Sequence, residues 1–173
     1  MKRRAHFPLS GAAALRRCGI GLLAACALPA AAQVNVSKRS TVFPGPYVAE
    51  IVRIIDGDTI EASVALWPGL RADYAVRVRG IDAPEIFRPD CAEERVWGEQ
   101  ARAQAERLYP PGQEVRLLDV SYDAFSGRVV ADVRRWRSDR WLSFAAEMLE
   151  RRMAVAWAPR QAAVPWCLLA QTR

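Results

Sequence analysis

Ile55-Asp56-Gly57-Asp58-Thr59 and, twenty residues on, Arg77-Val78-Arg79-Gly80-Ile81-Asp82-Ala83-Pro84-Glu85 bound the stretch that decides the fold. Asp56-Gly57 is a hairpin signal, because glycine tolerates the positive φ that tight turns need. After it, Ile60, Ala62, Val64 and Leu66 alternate with Thr59, Glu61 and Ser63, which predicts a half-buried strand. Pro68-Gly69 breaks that strand. Tyr74–Ile81 alternates again, Val76 and Val78 against Arg77 and Arg79. Two acidic turns therefore sit at the ends of paired strands, with an arginine just before the second. Carboxylates gathered in this way repel one another unless a cation sits among them.

Working outward, Tyr47–Ile55 is rich in Val and Ile and reads as a strand preceding the first turn. Residues 82–90 form a loop carrying Pro84 and Pro89. From Glu93 to Tyr109 the period becomes helical, with Trp97, Ala101, Ala105 and Leu108 on one face, and Pro110-Pro111-Gly112 ends it. Glu114–Val120 and Arg128–Trp136 read as a strand pair. Trp141–Met153 reads as a second helix with a stripe of Leu142, Ala145, Leu149 and Met153, and Ala154–Trp157 as a short last strand. Three strands, a helix, two strands and a helix predict a mainly β (α+β) chain: a five-stranded OB-type barrel with two main helices.

Residues 1–32 have the layout of a secretory signal. Five basic residues and no acid precede or flank an apolar run from Cys18 to Leu28, and Pro29-Ala30-Ala31-Ala32 offers a cleavage site. Leu23-Ala24-Ala25-Cys26 offers a competing lipobox with an acylated Cys26, and a buried N-terminal helix is a third reading. Residues 33–46 then form a flexible arm, and 47–173 the folded domain. Setting the signal aside changes the charge: the chain carries 25 basic and 19 acidic residues, net +6, and the remainder 20 against 19. The basic balance is thus largely a targeting feature, and any basic surface must be local.

The only histidine, His6, lies in the signal. Histidine bases, Ser-His-Asp triads and histidine metal ligands are thereby excluded from the domain. A metal there must be held by oxygens, which selects hard ions such as calcium, magnesium or manganese. Cys91 and Cys167 remain as an even pair, a disulfide in an exported protein or else two buried thiols.

Asp58 and Asp82 can share such a cation if the meander brings their turns together. Each alone also reads as a turn aspartate bonding its own backbone. Pro84 biases Ala83 towards an extended shape that aims its carbonyl. Glu85 is placed to orient a water, or is simply an exposed loop acid. Arg77 and Arg128 carry forks that fit phosphate oxygens, or that pair with the same aspartates.

Ile55-Asp56-Gly57-Asp58-Thr59, then Arg77 with Ile81-Asp82-Ala83-Pro84-Glu85, then Asp123 with Gly127-Arg128, resemble the thermonuclease (staphylococcal nuclease-like) family over about residues 47–157. The resemblance implies a calcium-dependent phosphodiesterase that cleaves DNA and RNA with low sequence specificity to 3′-phosphate ends. It implies that Asp58, Asp82 and the Ala83 carbonyl hold one calcium ion. It also implies that Glu85 handles the attacking water and that Arg77 and Arg128 bind substrate and stabilise the transition state. The chain departs from the family's pattern in places. Ala83 stands where many members have threonine. Ala124-Phe125-Ser126 replaces a Lys-Tyr pair, leaving Phe125 to stack on a base. Arg152 replaces a glycine, and the C-terminus is shortened, with a Cys91–Cys167 bridge as a substitute support. The expectation is a monomeric periplasmic or secreted nuclease acting on single- or double-stranded DNA and RNA. Its alternative is a non-catalytic OB-type module that binds nucleic acid.

Overall fold

Alternation of buried and exposed residues along five strands closes a barrel. A computed structural model of the chain describes residues 41–123 and 127–172. The expected signal with Cys26, the arm up to residue 40, and Phe125 lie outside the described residues. β1 is Val42–Phe43, β2 Tyr47–Ile54, β3 Thr59–Trp67 and β4 Leu70–Val78. β5 is Ile81–Asp82, α1 Ala92–Leu108, β6 Glu114–Tyr122 and β7 Arg128–Arg137. β8 is Arg140–Ser143, α2 Phe144–Glu150, β9 Val155–Ala156 and α3 Trp166–Gln171.

The sheet runs β1-β6-β2-β3-β4-β7-β8, and β6 also pairs with β7. β2, β3, β4, β7 and β6 therefore form a closed five-stranded barrel of OB type, mixed because β4 and β7 are parallel. Its interior is filled by Ala49, Ile51 and Ile54 of β2, Ile60, Ala62 and Val64 of β3, Val76 and Val78 of β4, and their partners on β6 and β7. A bulge between Ile51 and Arg53 lets Ile51 and Ile54 both face inward although they are an odd number of positions apart. Ala101, Ala105 and Leu108 of α1 and Phe144 and Met148 of α2 complete the core.

Several expectations need correction, among them the strand read over 74–81, which runs over Leu70–Val78 because Pro68-Gly69 forms a tight hairpin turn into it. The arm is not unstructured throughout, since Val42–Phe43 pairs with Val120–Ser121 on β6. The second helix is shorter than 141–153. Arg140–Ser143 pairs with β7 instead, and the Ser143 hydroxyl caps α2 by accepting from the Ala146 N–H. Its buried stripe is consequently Phe144 and Met148, one turn apart, rather than Leu142, Ala145, Leu149 and Met153. Finally, Gly57 does not take a positive φ. A Cβ there would lie 2.7 Å from the Ala83 Cβ and 2.8 Å from the Ala101 Cβ, so glycine is needed for space.

Behind α2, Arg135 points inward and pairs with Glu147 at 2.6 Å, while the Tyr109 hydroxyl donates to the same carboxylate at 2.8 Å. This buried network ties β7, α1 and α2 together. Among the described residues no helix is long and apolar enough to cross a membrane.

Candidate active-site cleft

The turn before β3 is built by its own acids. Asp56 Oδ1 accepts from the Asp58 N–H at 3.0 Å, and the Ile55 and Asp56 N–H groups donate to the Thr59 carbonyl. This geometry turns the Asp58 side chain inward, where it is 3% exposed. One of its oxygens accepts from Thr59 Oγ1 at 2.9 Å and Arg77 Nη1 at 2.8 Å, and the other from the Ala83 N–H at 2.9 Å. Burial, with the charge of Asp56 added, pushes the Asp58 carboxyl up to about 7, against the opposing pull of Arg77, the Ala83 N–H and Thr59.

The second turn reaches the same place by leaving the barrel. β4 ends at Val78, Gly80 turns with φ +83, and β5 pairs antiparallel with β9. Asp82 thereby meets Arg77 Nη2 at 2.6 Å. The fork of Arg77 is thus shared between the two aspartates, and its guanidinium carbon lies 5.9 Å from the Trp157 ring centre. Arg79, on the same strand face, is occupied by the Asp119 and Val130 carbonyls and the Ser121 hydroxyl.

Glu85 follows on a loop packed directly against α1. A Cβ at Gly98 would fall 2.7 Å from the Pro84 carbonyl and 3.1 Å from that of Glu85. The exposed Glu85 side chain folds back so that Oε1 accepts from the Ile86 and Phe87 N–H groups, both at 2.9 Å. Its Oε2 has no protein donor among the described residues. Arg128 opens β7 beside β4 in parallel register, Ala75 opposite Arg128, and its Nε donates to Asp123 at 2.7 Å.

Arg77, Glu85, Asp123, Arg128 and Trp157 line one cleft of about 980 Å³. A second cavity of about 430 Å³, with Asp58, Asp82, Ala83 and Trp166 in its wall, shares Arg77, Glu85, Arg88 and Trp157 with the first. The predicted residues other than Phe125 are therefore brought together.

The charge arrangement differs from a bare acidic pair, because a guanidinium stands between Asp58 and Asp82. Among the described residues the one tight group of potential ligand atoms is Cys91, Glu94 and Cys167, and its two sulfurs are bonded to each other, so it offers no thiolates. The oxygen donors around Asp58 nevertheless suit a hard cation. The site has no thiol or imidazole, and Asp58 is a buried carboxyl paired with Arg77.

The disulfide joins Cys91 and Cys167 across 76 residues with Cα atoms 6.0 Å apart. It brings in residues that periodicity and spacing do not single out. α3 places Trp166 so that its ring N–H donates to Asp82 Oδ2 at 3.0 Å and its ring packs edge-to-face with Trp97, centroids 5.0 Å apart. Glu94, 4% exposed, accepts the Glu85 N–H at 3.1 Å on one oxygen and the Asp90 N–H at 2.8 Å on the other. The tail and α1 thus hold the acidic loop from behind. In the structure Glu94 is a buried charge within the otherwise apolar inner face of α1. No protein-family model matches the chain, and no curated protein matches it.

Proposed function

We propose that the chain is a metal-dependent phosphodiesterase that hydrolyses DNA, RNA or both with low sequence specificity. The observation that carries this reading is the single cleft into which Arg77, Glu85 and Arg128 open beside the Asp58–Asp82 pair. Asp58, Asp82 and the Ala83 carbonyl would hold calcium, which supplies Lewis-acid polarisation of a phosphoryl oxygen when bound. Arg77 then turns its fork from the aspartates to a phosphate oxygen, and Arg128 takes another. Together they match the charge that grows on the phosphorus oxygens. Glu85, with Oε1 fixed by two N–H groups, offers Oε2 to a water and takes its proton as the oxygen attacks in line. The bond to the 5′ oxygen breaks, that oxygen takes a proton from solvent, and a 3′-phosphate remains. Trp157 is available to stack on a base. Phe125 is proposed for a similar contact. The disulfide supports export to an oxidising compartment, periplasmic or secreted.

One feature favours the alternative, a module that binds nucleic acid without cleaving it: both arginines are engaged by aspartates. Incubation of the protein with single-stranded DNA, duplex DNA and RNA, in calcium, magnesium or chelator, separates the two. Calcium-dependent fragments ending in 3′-phosphate support the enzyme. Binding without cleavage in every metal supports the module.

A further inference from the structure

The segment Arg134-Arg135-Trp136-Arg137-Ser138-Asp139-Arg140-Trp141 holds four arginines and two tryptophans against one acid, and the cleft uses none of them. It forms the β7–β8 hairpin, closed by Ser138 and Asp139 at φ 50 and 59, the geometry of a two-residue type I′ turn. Strand alternation sorts its side chains. Arg135 goes inward to Glu147, while Arg134 and Trp136 go outward. Trp136 faces Trp141 across the hairpin, ring centres 5.3 Å apart, and the two remain 52% and 44% exposed. Arg116 of β6 lies opposite Arg134 and stands 5.8 Å over the Trp141 ring.

We propose that this outward hairpin face is a second binding surface for single-stranded nucleic acid, continuous with the cleft along β7. Three observations carry it. First, the rings expose flat area that every base can stack on, flanked by guanidinium forks suited to phosphate. Second, Arg116 and Arg134 sit directly opposite each other on this face, beside the two rings. Like charges so placed destabilise a strand pair, and a polyanion relieves them. Third, Arg128, Val130, Asp132, Arg134 and Trp136 alternate onto one outward face of β7, so a strand leaving Arg128 runs towards the tryptophans. The path is eight residues, about 26 Å, or roughly eight stacked nucleotides.

Acids are present too. Asp132 lies 3.6 Å from Arg134, and Glu114 lies 3.1 Å from Arg116. Both pairs are partly solvent-exposed, where such pairs contribute little, so phosphate can displace the carboxylates. The choice of nucleic acid over other polyanions rests on the phosphodiesterase reading of the cleft.

The test is anisotropy of fluorescein-labelled oligothymidylates of about 16 and about 4 nucleotides, in chelator to suppress cleavage. The protein is compared with Trp136→Ala and with Arg116→Ser/Arg134→Ser, which leave the core untouched. The longer probe is expected to bind wild type at least tenfold more tightly than the shorter. Either variant should lose about tenfold on the longer probe and almost nothing on the shorter. In calcium, KM for the longer strand rises in the variants while kcat holds. Equal affinity of wild type and both variants for the longer probe overturns the proposal. So does a variant defect seen only with anionic phosphatidylglycerol vesicles, which would make the face a membrane contact. If the variants lose binding but no metal supports cleavage, the surface stands and the enzyme reading falls. If cleavage proceeds and the variants bind normally, the reverse holds.

Discussion

Asp58 is the residue on which the site's electrostatics turn. Its carboxyl is held up at about 7 by burial and by Asp56, although Arg77, Thr59 and the Ala83 N–H all favour the charged form. An acid with a raised folded-state pKa contributes stability that is full below its unfolded value near 3.8. That contribution is lost as pH rises through about 7. In chelator, the melting-temperature difference between Asp58→Asn and wild type should therefore move in the variant's favour from about pH 5 to about pH 8, across the upper part of that window. A difference independent of pH would show that Asp58 does not titrate there. Calcium, which requires the carboxylate, should bind more tightly as pH rises over the same range and release a proton on binding. At this scale the sequence was informative about Asp58, Arg77, Asp82 and Glu85, because turn chemistry and strand alternation place them within one meander. It was misleading about Gly57, whose role is the absence of a Cβ against Ala83 and Ala101, a contact between distant segments.

Among the elements, long periodic segments were legible and the β8–α2 junction was not. α1 and strands β2, β3, β6 and β7 follow from alternation or helical period within a residue or two at most ends. Trp141-Leu142-Ser143 fits a helix equally well until β7 pairs with it, and pairing is a tertiary fact. The local clues were Ser138-Asp139 as a hairpin turn and Ser143 as a cap. The far end of α2 closes with the Met153 N–H bonded to the Met148 carbonyl and the Arg152 N–H to that of Leu149, a Schellman arrangement. Its left-handed position is Arg152, at φ +56, where glycine carries no steric cost. Arg152→Gly should raise stability by about 1 kcal/mol, read by urea unfolding. A loss of stability would mean that the arginine makes a compensating contact.

For the molecule as a whole, the disulfide and α3 form a clamp behind the acidic loop. The pairing of Cys91 with Cys167 was readable from an even count, but its consequences were not. Trp166 meets Asp82 across 84 residues, and nothing local marks that partnership. In the chain-entropy picture, opening a bridge across 76 residues costs about 4.5 kcal/mol. Reduction should lower the melting temperature and weaken calcium binding together. Trp166→Phe, which keeps the bridge and most of the packing on Trp97, should weaken calcium binding by about tenfold while barely moving the melting temperature. A variant with unchanged calcium affinity, measured by calorimetry, would reduce Trp166 to a packing residue.

The central claim is that one cleft uses Glu85 and Arg128 to hydrolyse phosphodiesters. Its most direct test is the single-turnover cleavage rate of single-stranded DNA in calcium for wild type, Glu85→Gln and Arg128→Ala, with folding checked by circular dichroism. Measurable wild-type cleavage that falls about two to four orders of magnitude in each variant is the predicted result. Folded variants that cleave at the wild-type rate, or a wild type with no activity to lose, would contradict it.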